Sequence, residues 1–297
     1  MLQPAETSYF STPAAGLDPR LFQAGKLRPD VRNNILRTLT NYIDTKYTGS
    51  SGWMHAWLAG SGVSYQWAAQ RDPGDLDCLV GVDFVQFREA NPSYRGLSDK
   101  EISKMFNEGF YNDLQPSVER FMGSFELTFY VNVKTNILDM KPYAAYSLTD
   151  DSWTVAPAAA AAEVNPQWEV NVEKDRINAV NMMSKYLVAK KRYEEATNEA
   201  VKANARSEMR IAQAQAIGLY NEIHELRGEA FTEIGEGYTD YNNYRWQAGK
   251  RTGVVQALRH IKEAAEAETE ALARKMYGVN LPEPEALIRR AATSYAR

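Results

Sequence analysis

Cysteine is almost absent from this 297-residue chain: Cys78 stands alone, which excludes an intramolecular disulfide and a cysteine-rich zinc site. It lies in the apolar run Leu76 to Val80, where a buried small hydrophobe is expected rather than a nucleophile. Histidine is scarce too. His55, His224 and His260 are dispersed without metal-ligand spacing, and no Ser-His-Asp set for hydrolysis is readable in the order of residues. No stretch approaches the roughly 18 apolar residues that a membrane-spanning helix requires. Met1 to Gly16 lacks the basic start and apolar stretch of a signal peptide. A soluble, cytoplasmic chain without a membrane partner is expected. A strong excess of either charge is also missing: the net charge is −4 and the pI near 5.6, so bulk charge gives no general attraction to nucleic acid. The first 165 residues carry 19 acidic and 14 basic side chains, the remainder 19 and 20.

With 44% hydrophobic and 11% aromatic residues, the chain has enough apolar material for a substantial core. Residues 1–30, rich in Pro, Ala, Ser and Gly, read as an extended N-terminal arm. Val31, Ile35, Leu36, Leu39, Tyr42 and Ile43 then recur at helical spacing and predict an amphipathic helix of about four turns. Trp53 to Leu58 predicts a strand ending at Ala59-Gly60-Ser61-Gly62, followed by a short helix over 63–70, a turn at Arg71 to Gly74, and a buried strand from Asp75 to Phe84. A helix is expected over 98–122, broken at Pro116. Phe125, Leu127, Phe129 and Val131 alternate with Glu126, Thr128, Tyr130 and Asn132, the period of a strand, and Ile137 to Leu148 is expected to pair with it. The alanine-rich stretch 157–166 reads as a linker between a domain over 31–156 and a helical domain over 167–297. Long helices are expected at about 172–235, 240–278 and 283–296, the first broken near Gly218 or Gly228. The fold class is therefore α+β, a mixed sheet with flanking helices followed by an all-α part.

One constellation carries chemistry. Two aspartates separated by one residue on a strand project to the same face, and Asp75-Leu76-Asp77 does this at an exposed strand end. Carboxylate oxygens suit magnesium, which is usually held by a few carboxylates together with the phosphates of a nucleotide. Glycines at 60 and 62 let backbone N–H groups approach phosphate oxygens, and Ser61 adds a hydroxyl donor. The alternative role for Arg71 to Asp77 is a surface turn whose aspartates cap backbone groups.

The order strand, Gly-Ser, short helix, turn, strand opening with Asp-x-Asp resembles the DNA polymerase β superfamily of nucleotidyltransferases, with a gap between Ser61 and Asp75 at the long end for that family. Gly60 to Asp77, Lys141 to Tyr146 and Asp240 to Trp246 look like segments of predicted nucleotidyltransferases encoded by bacteriophages. The resemblance implies a nucleotidyltransferase-type sheet and two Mg2+ (or Mn2+) ions on Asp75 and Asp77. It also implies a third carboxylate from a later strand, an NTP as substrate, and nucleotide binding at Gly60 and Ser61. Asp139, in Leu138-Asp139-Met140-Lys141-Pro142, is the expected third ligand and Glu126 its rival. The acceptor is unknown, with an RNA 3′ end slightly favoured over a protein or small molecule.

The resemblance also implies a helical domain facing the nucleotide. The aromatic stretch Tyr238 to Trp246 and the cations Lys250, Arg251 and Arg259 are candidates for base and triphosphate contacts. Aromatics at helical spacing more commonly pack a core. A non-catalytic protein that keeps the fold and binds a nucleotide or partner is the competing function.

Overall fold

In the computed structural model, which describes residues 10, 12–69, 74–158, 163–232 and 234–277, the protein is α+β. The chain divides after Glu163 into two compact units. Part of the expected arm belongs to the first core. β1 (Phe22–Gln23) and β2 (Lys26–Leu27) pair as a minimal hairpin, and Leu21, Phe22 and Leu27 are buried. Trp153 holds this segment down: its Nε1 donates to the Gly25 carbonyl at 2.8 Å, and its ring stacks on Phe22 at 5.3 Å.

The helical spacing from Val31 to Ile43 becomes α1 (Pro29–Asp44), opened by a proline where a missing N–H costs nothing. Val31, Ile35, Leu39 and Ile43 are fully buried on one stripe, each contributing roughly 1.5–3 kcal/mol. A single turn, α2 (Ser50–Trp53), leads into β3 (Met54–Ala59). The expected short helix over 63–70 is two 3-10 segments, Ser61–Val63 and Tyr65–Ala69. Arg71 to Pro73 of the expected turn lie outside the described residues. β4 (Gly74–Val82) and α3 (Phe84–Ala90) follow, with the Asp83 side chain capping α3 through Val85 and Gln86 N–H. A Ser98–Glu101 capping box starts α4 (Asp99–Gly109), which runs into a π-turn at Phe110–Leu114. Next come β5 (Phe125–Val131), β6 (Ala145–Ser147) and β7 (Ser152–Val155).

The sheet order is β5-β4-β3-β6-β7, with β4 and β5 parallel and the other pairs antiparallel. The expected hairpin between 125–131 and 137–148 does not form. Residues 137–140 are a 3-10 turn, Lys141 adopts a left-handed conformation (φ 48°) before Pro142, and β6 pairs with β3 and β7 instead. The Asn107 side chain occupies the end of β5, accepting from Val131 N–H at 2.7 Å and donating to its carbonyl at 2.9 Å. One face of the sheet packs on α1, α3 and α4 through Leu58, Leu76, Cys78, Leu127 and Phe129. Burial pushes the Cys78 thiol well up from its ordinary value, which keeps it protonated and inert. On the other face, Trp57, Ala59, Leu79 and Ala145 are covered by Ile137, with Tyr130 and Met140 beside it.

The second unit contains α5 (Pro166–Glu195), α6 (Glu199–Ala230), α7 (Tyr241–Arg251) and α8 (Val254–Tyr277). The first break falls at 196–198, where Asn198 accepts from Ala200 and Val201 N–H, and Gly218 and Gly228 remain inside α6. Asp240 caps α7, and Gly253 in a positive-φ conformation separates it from α8. Among the described residues no helix is long and apolar enough to cross a membrane. The helix expected over 283–296 and residues 159–162 of the alanine run lie outside the described residues.

Candidate active site

The register of β4 on β5 assembles the site. Asp75 lies opposite Glu126, and Asp77 opposite Thr128. Leu76, Cys78, Leu127 and Phe129 turn to the helices, so strand alternation sends Asp75, Asp77, Glu126 and Thr128 to the opposite face, all four half-buried. The crossover between β5 and β6 covers this face further along, at Leu79 and Tyr130. The polar quartet sits at the start of both strands.

Gly60 closes the site from the β3 side. The antiparallel register pairs Ala59 with Asp77, and the next residue turns sharply with φ 86° and ψ −158°, a conformation accessible essentially to glycine alone. The Gly60 N–H donates to the Ala144 carbonyl at 3.2 Å, anchoring the turn to the approach of β6. A Cβ at position 60 would stand 3.3 Å from Asp77 Oδ2, so the missing side chain leaves a hollow beside that carboxylate. Ser61 follows at the head of the 3-10 turn that packs against β4. Thr128 Oγ1 donates to Asp77 Oδ1 at 3.0 Å. Among the described residues no three acidic, histidine or cysteine side chains converge on one point.

Asp139, expected on a strand over 137–148, lies instead in the 3-10 turn of the crossover with its side chain exposed. Its backbone carbonyl accepts from Lys134 Nζ at 3.0 Å, and no strand register ties it to Asp75 or Asp77. Glu126 is the carboxylate that the sheet sets beside Asp75.

No family model, curated protein or solved structure matches the chain. The functional reading rests on the site's own residues.

Lys250, Arg251 and Arg259 belong to the helical unit. Arg251 and Arg259 are exposed and Lys250 is half-buried, and Arg259 Nε meets Tyr220 Oη at 3.4 Å. Within the aromatic stretch, Tyr244 and Trp246 are buried, as aromatics at helical spacing commonly are, and Trp168 contacts the Tyr241 and Tyr244 rings at 5.7 and 5.4 Å. Sequence reasoning missed the ion cluster beneath them. Arg245 joins Asp175 and Glu222 across three helices, a pairing over 70 and 23 residues that no local motif announces.

A second juxtaposition was also hidden by sequence order. His55 Nε2 lies 2.9 Å from Ser147 Oγ and 3.2 Å from Asp150 Oδ2, while Ser147 Oγ donates to Asp150 at 3.0 Å. A hydrolytic relay needs serine and carboxylate on opposite ring nitrogens. Here both meet Nε2, and Ser147 is buried, so the cluster is no nucleophile.

Its consequence is for stability. Burial lowers the His55 pKa against the opposing pull of Asp150. Burial, reinforced by Arg227, Lys262 and Arg259, lowers that of His224. Both therefore bind protons less readily folded than unfolded. Their contribution is fully present above the ordinary histidine value of 6.5 and is lost as pH falls through the lower folded values. The melting midpoint should drop between about pH 7.5 and 5.5. Replacing both residues by asparagine should flatten that slope. An unchanged slope in the double variant would assign it to other groups.

Proposed function

We propose that this chain is a metal-dependent nucleotidyltransferase that moves a nucleoside monophosphate from an NTP to an acceptor hydroxyl. The observation that carries the reading is the β4–β5 register, which aligns Asp75 with Glu126 and Asp77 with Thr128 on the face next to the Gly60 turn. The donor set is all oxygen, the chemistry that suits Mg2+ or Mn2+, and the hollow that Gly60 leaves beside Asp77 supports a fit for a cation or phosphate there. Asp75 and Asp77 would hold two ions, and Glu126 would complete the set. Bound there, such cations would supply charge neutralisation for the attacking and departing oxygens.

The chain's own residues then have defined tasks. The acceptor oxygen forms a bond to the α-phosphorus as the bond to the bridging oxygen breaks, and pyrophosphate departs. Glu126 takes the hydroxyl proton, directly or through water. Gly60 and Ser61 bind phosphate through the Gly60 turn and the Ser61 hydroxyl. An RNA 3′ end remains the proposed acceptor, ahead of a protein or small molecule.

The competing reading is a binding protein with this arrangement and no turnover. It is favoured by one observation, that no three acidic, histidine or cysteine side chains among the described residues are grouped as a metal site would need. Incubation with each α-labelled NTP, Mg2+ or Mn2+, and total RNA separates the two. Label is expected in RNA with the native chain and not with Asp75→Ala, Asp77→Ala. Transfer that survives the double substitution would refute the assignment. NTP binding without transfer to RNA, protein or small-molecule fractions would establish the binding protein.

A further inference from the structure

α5 is apolar on two opposite faces, where a helix on the outside of a bundle needs only one. Ala179, Tyr186 and Ala189 pack in the core of the helical unit. On the far side, Val170, Ile177, Val180 and Leu187 stand 50, 48, 42 and 55% exposed. Single exposed apolar side chains are ordinary, but four in one stripe mark a surface that meets another. Their spacing alternates seven and three residues, which is that of the two seam positions of a heptad. Such a stripe runs straight along a helix and fits a second helix laid beside it.

The stripe is complementary to itself. Two copies of α5 laid antiparallel, about a twofold axis beside Asn178 and Ala179, set Val170 against the partner's Leu187 and Ile177 against the partner's Val180. Apolar then meets apolar at each of these layers. Glu173, the acidic residue within the stripe, falls against the partner's Ser184 rather than against a like charge. At the flank, Glu169 meets the partner's Lys190, and symmetry forms that pair twice. Both side chains are exposed, and among the described residues neither has an ion pair within its own chain. A parallel pairing in register would instead press Glu173 against its own counterpart, a repulsion that the antiparallel arrangement avoids.

We propose that the outer face of α5 is a self-association surface, through which two copies of this chain form an antiparallel, twofold dimer. A twofold interface needs one patch to serve both sides, which is what this stripe offers. The seam from Val170 to Leu187 is roughly 26 Å long at 1.5 Å per residue. That is short for a standard interface, so the dissociation constant should lie in the micromolar range. The inference is independent of the carboxylate site.

Sedimentation velocity of the full chain between about 1 and 200 µM tests it, because a weak dimer forms by mass action across that range. The weight-average mass is expected to rise from 33.5 kDa toward twice that value. Ile177→Glu with Val180→Glu, at two exposed positions, should hold it at 33.5 kDa throughout, with an unchanged circular dichroism spectrum. Glu169→Lys alone should weaken the dimer several-fold by setting like charges opposite each other. Adding Lys190→Glu should restore the affinity to within about twofold of the native chain, since the pair re-forms with its signs reversed. A native chain that stays at 33.5 kDa across the whole range overturns the dimer. A dimer indifferent to the Ile177 and Val180 substitutions places the contact elsewhere and overturns the surface. A charge-swapped double variant weaker than Glu169→Lys overturns the antiparallel register, because a parallel seam would set Glu169 beside the partner's Lys174 and Lys190 beside the partner's Glu195.

Discussion

Glu126→Gln is expected to reduce nucleotidyl transfer at least about a hundredfold, the usual span for removing a positioned general base or metal-binding carboxylate, while Asp139→Asn changes it by no more than about twofold. The difference follows from the sheet. Glu126 is tied to Asp75 by the parallel register of β4 on β5, so backbone hydrogen bonds fix where its Cα stands. Asp139 is carried by a 3-10 turn, exposed, and followed by Lys141 in a left-handed conformation. Glutamine preserves the volume and the outward orientation of Glu126, so the sheet survives and the lost quantity is charge and basicity. The loss should fall on kcat, with KM for the NTP little altered, because the phosphate contacts proposed for Gly60 and Ser61 stay in place. The opposite ranking, with Asp139→Asn inactive and Glu126→Gln active, would transfer the third role to the crossover. Loss in neither variant would remove the two-metal reading.

Much of the site was legible because its signals are local. The β3 turn at Gly60 and the start of β4 at Asp75 are marked by a glycine only its own φ explains, by alternation, and by two aspartates on one strand face. The identity of the strand beside β4 was not. Ile137 to Leu148 reads as a strand paired with 125–131, and nothing in the residues themselves shows that Asn107, from a helix earlier in the chain, binds both polar groups of Val131. Parallel pairing joins Asp75 to Glu126 across the intervening α3 and α4, beyond the reach of any local pattern. The same limit misplaced the helix break. Gly218 and Gly228 weaken a helix by about 1 kcal/mol each, yet packing tolerates them, whereas Asn198 starts a new helix by satisfying two of its open N–H groups. The first thirty residues read as an arm from composition alone, but Leu21, Phe22 and Leu27 find a core whose other members lie as far away as Trp153.

Arg245→Ala should destabilise the helical unit by about 3–5 kcal/mol, the range for leaving one member of a buried ion cluster without its partner. Arg245 is 8% exposed on α7 and forms two hydrogen bonds to Asp175 of α5, at 2.6 and 2.9 Å, and one to Glu222 of α6 at 2.7 Å. The Asp175 hydrogen bonds raise its pKa further above the ordinary arginine value, with Glu222 adding to this and burial opposing it. The two acids do not contribute equally. Asp175 is 15% exposed and stays desolvated once the guanidinium is gone, whereas Glu222, 54% exposed, recovers water. Glu222→Gln should therefore cost less than about 1 kcal/mol, and Asp175→Asn considerably more. In thermal denaturation followed by circular dichroism, Arg245→Ala should lower the helical transition by on the order of 10 °C. The first unit's sheet should melt where it did before, because each unit has its own hydrophobic core. Arg245→Met combined with Asp175→Leu should recover most of the loss, since apolar side chains of similar size need no counter-charge. If the single substitution leaves the helical transition within about 2 °C, the cluster is solvated in solution and does not hold the three helices together.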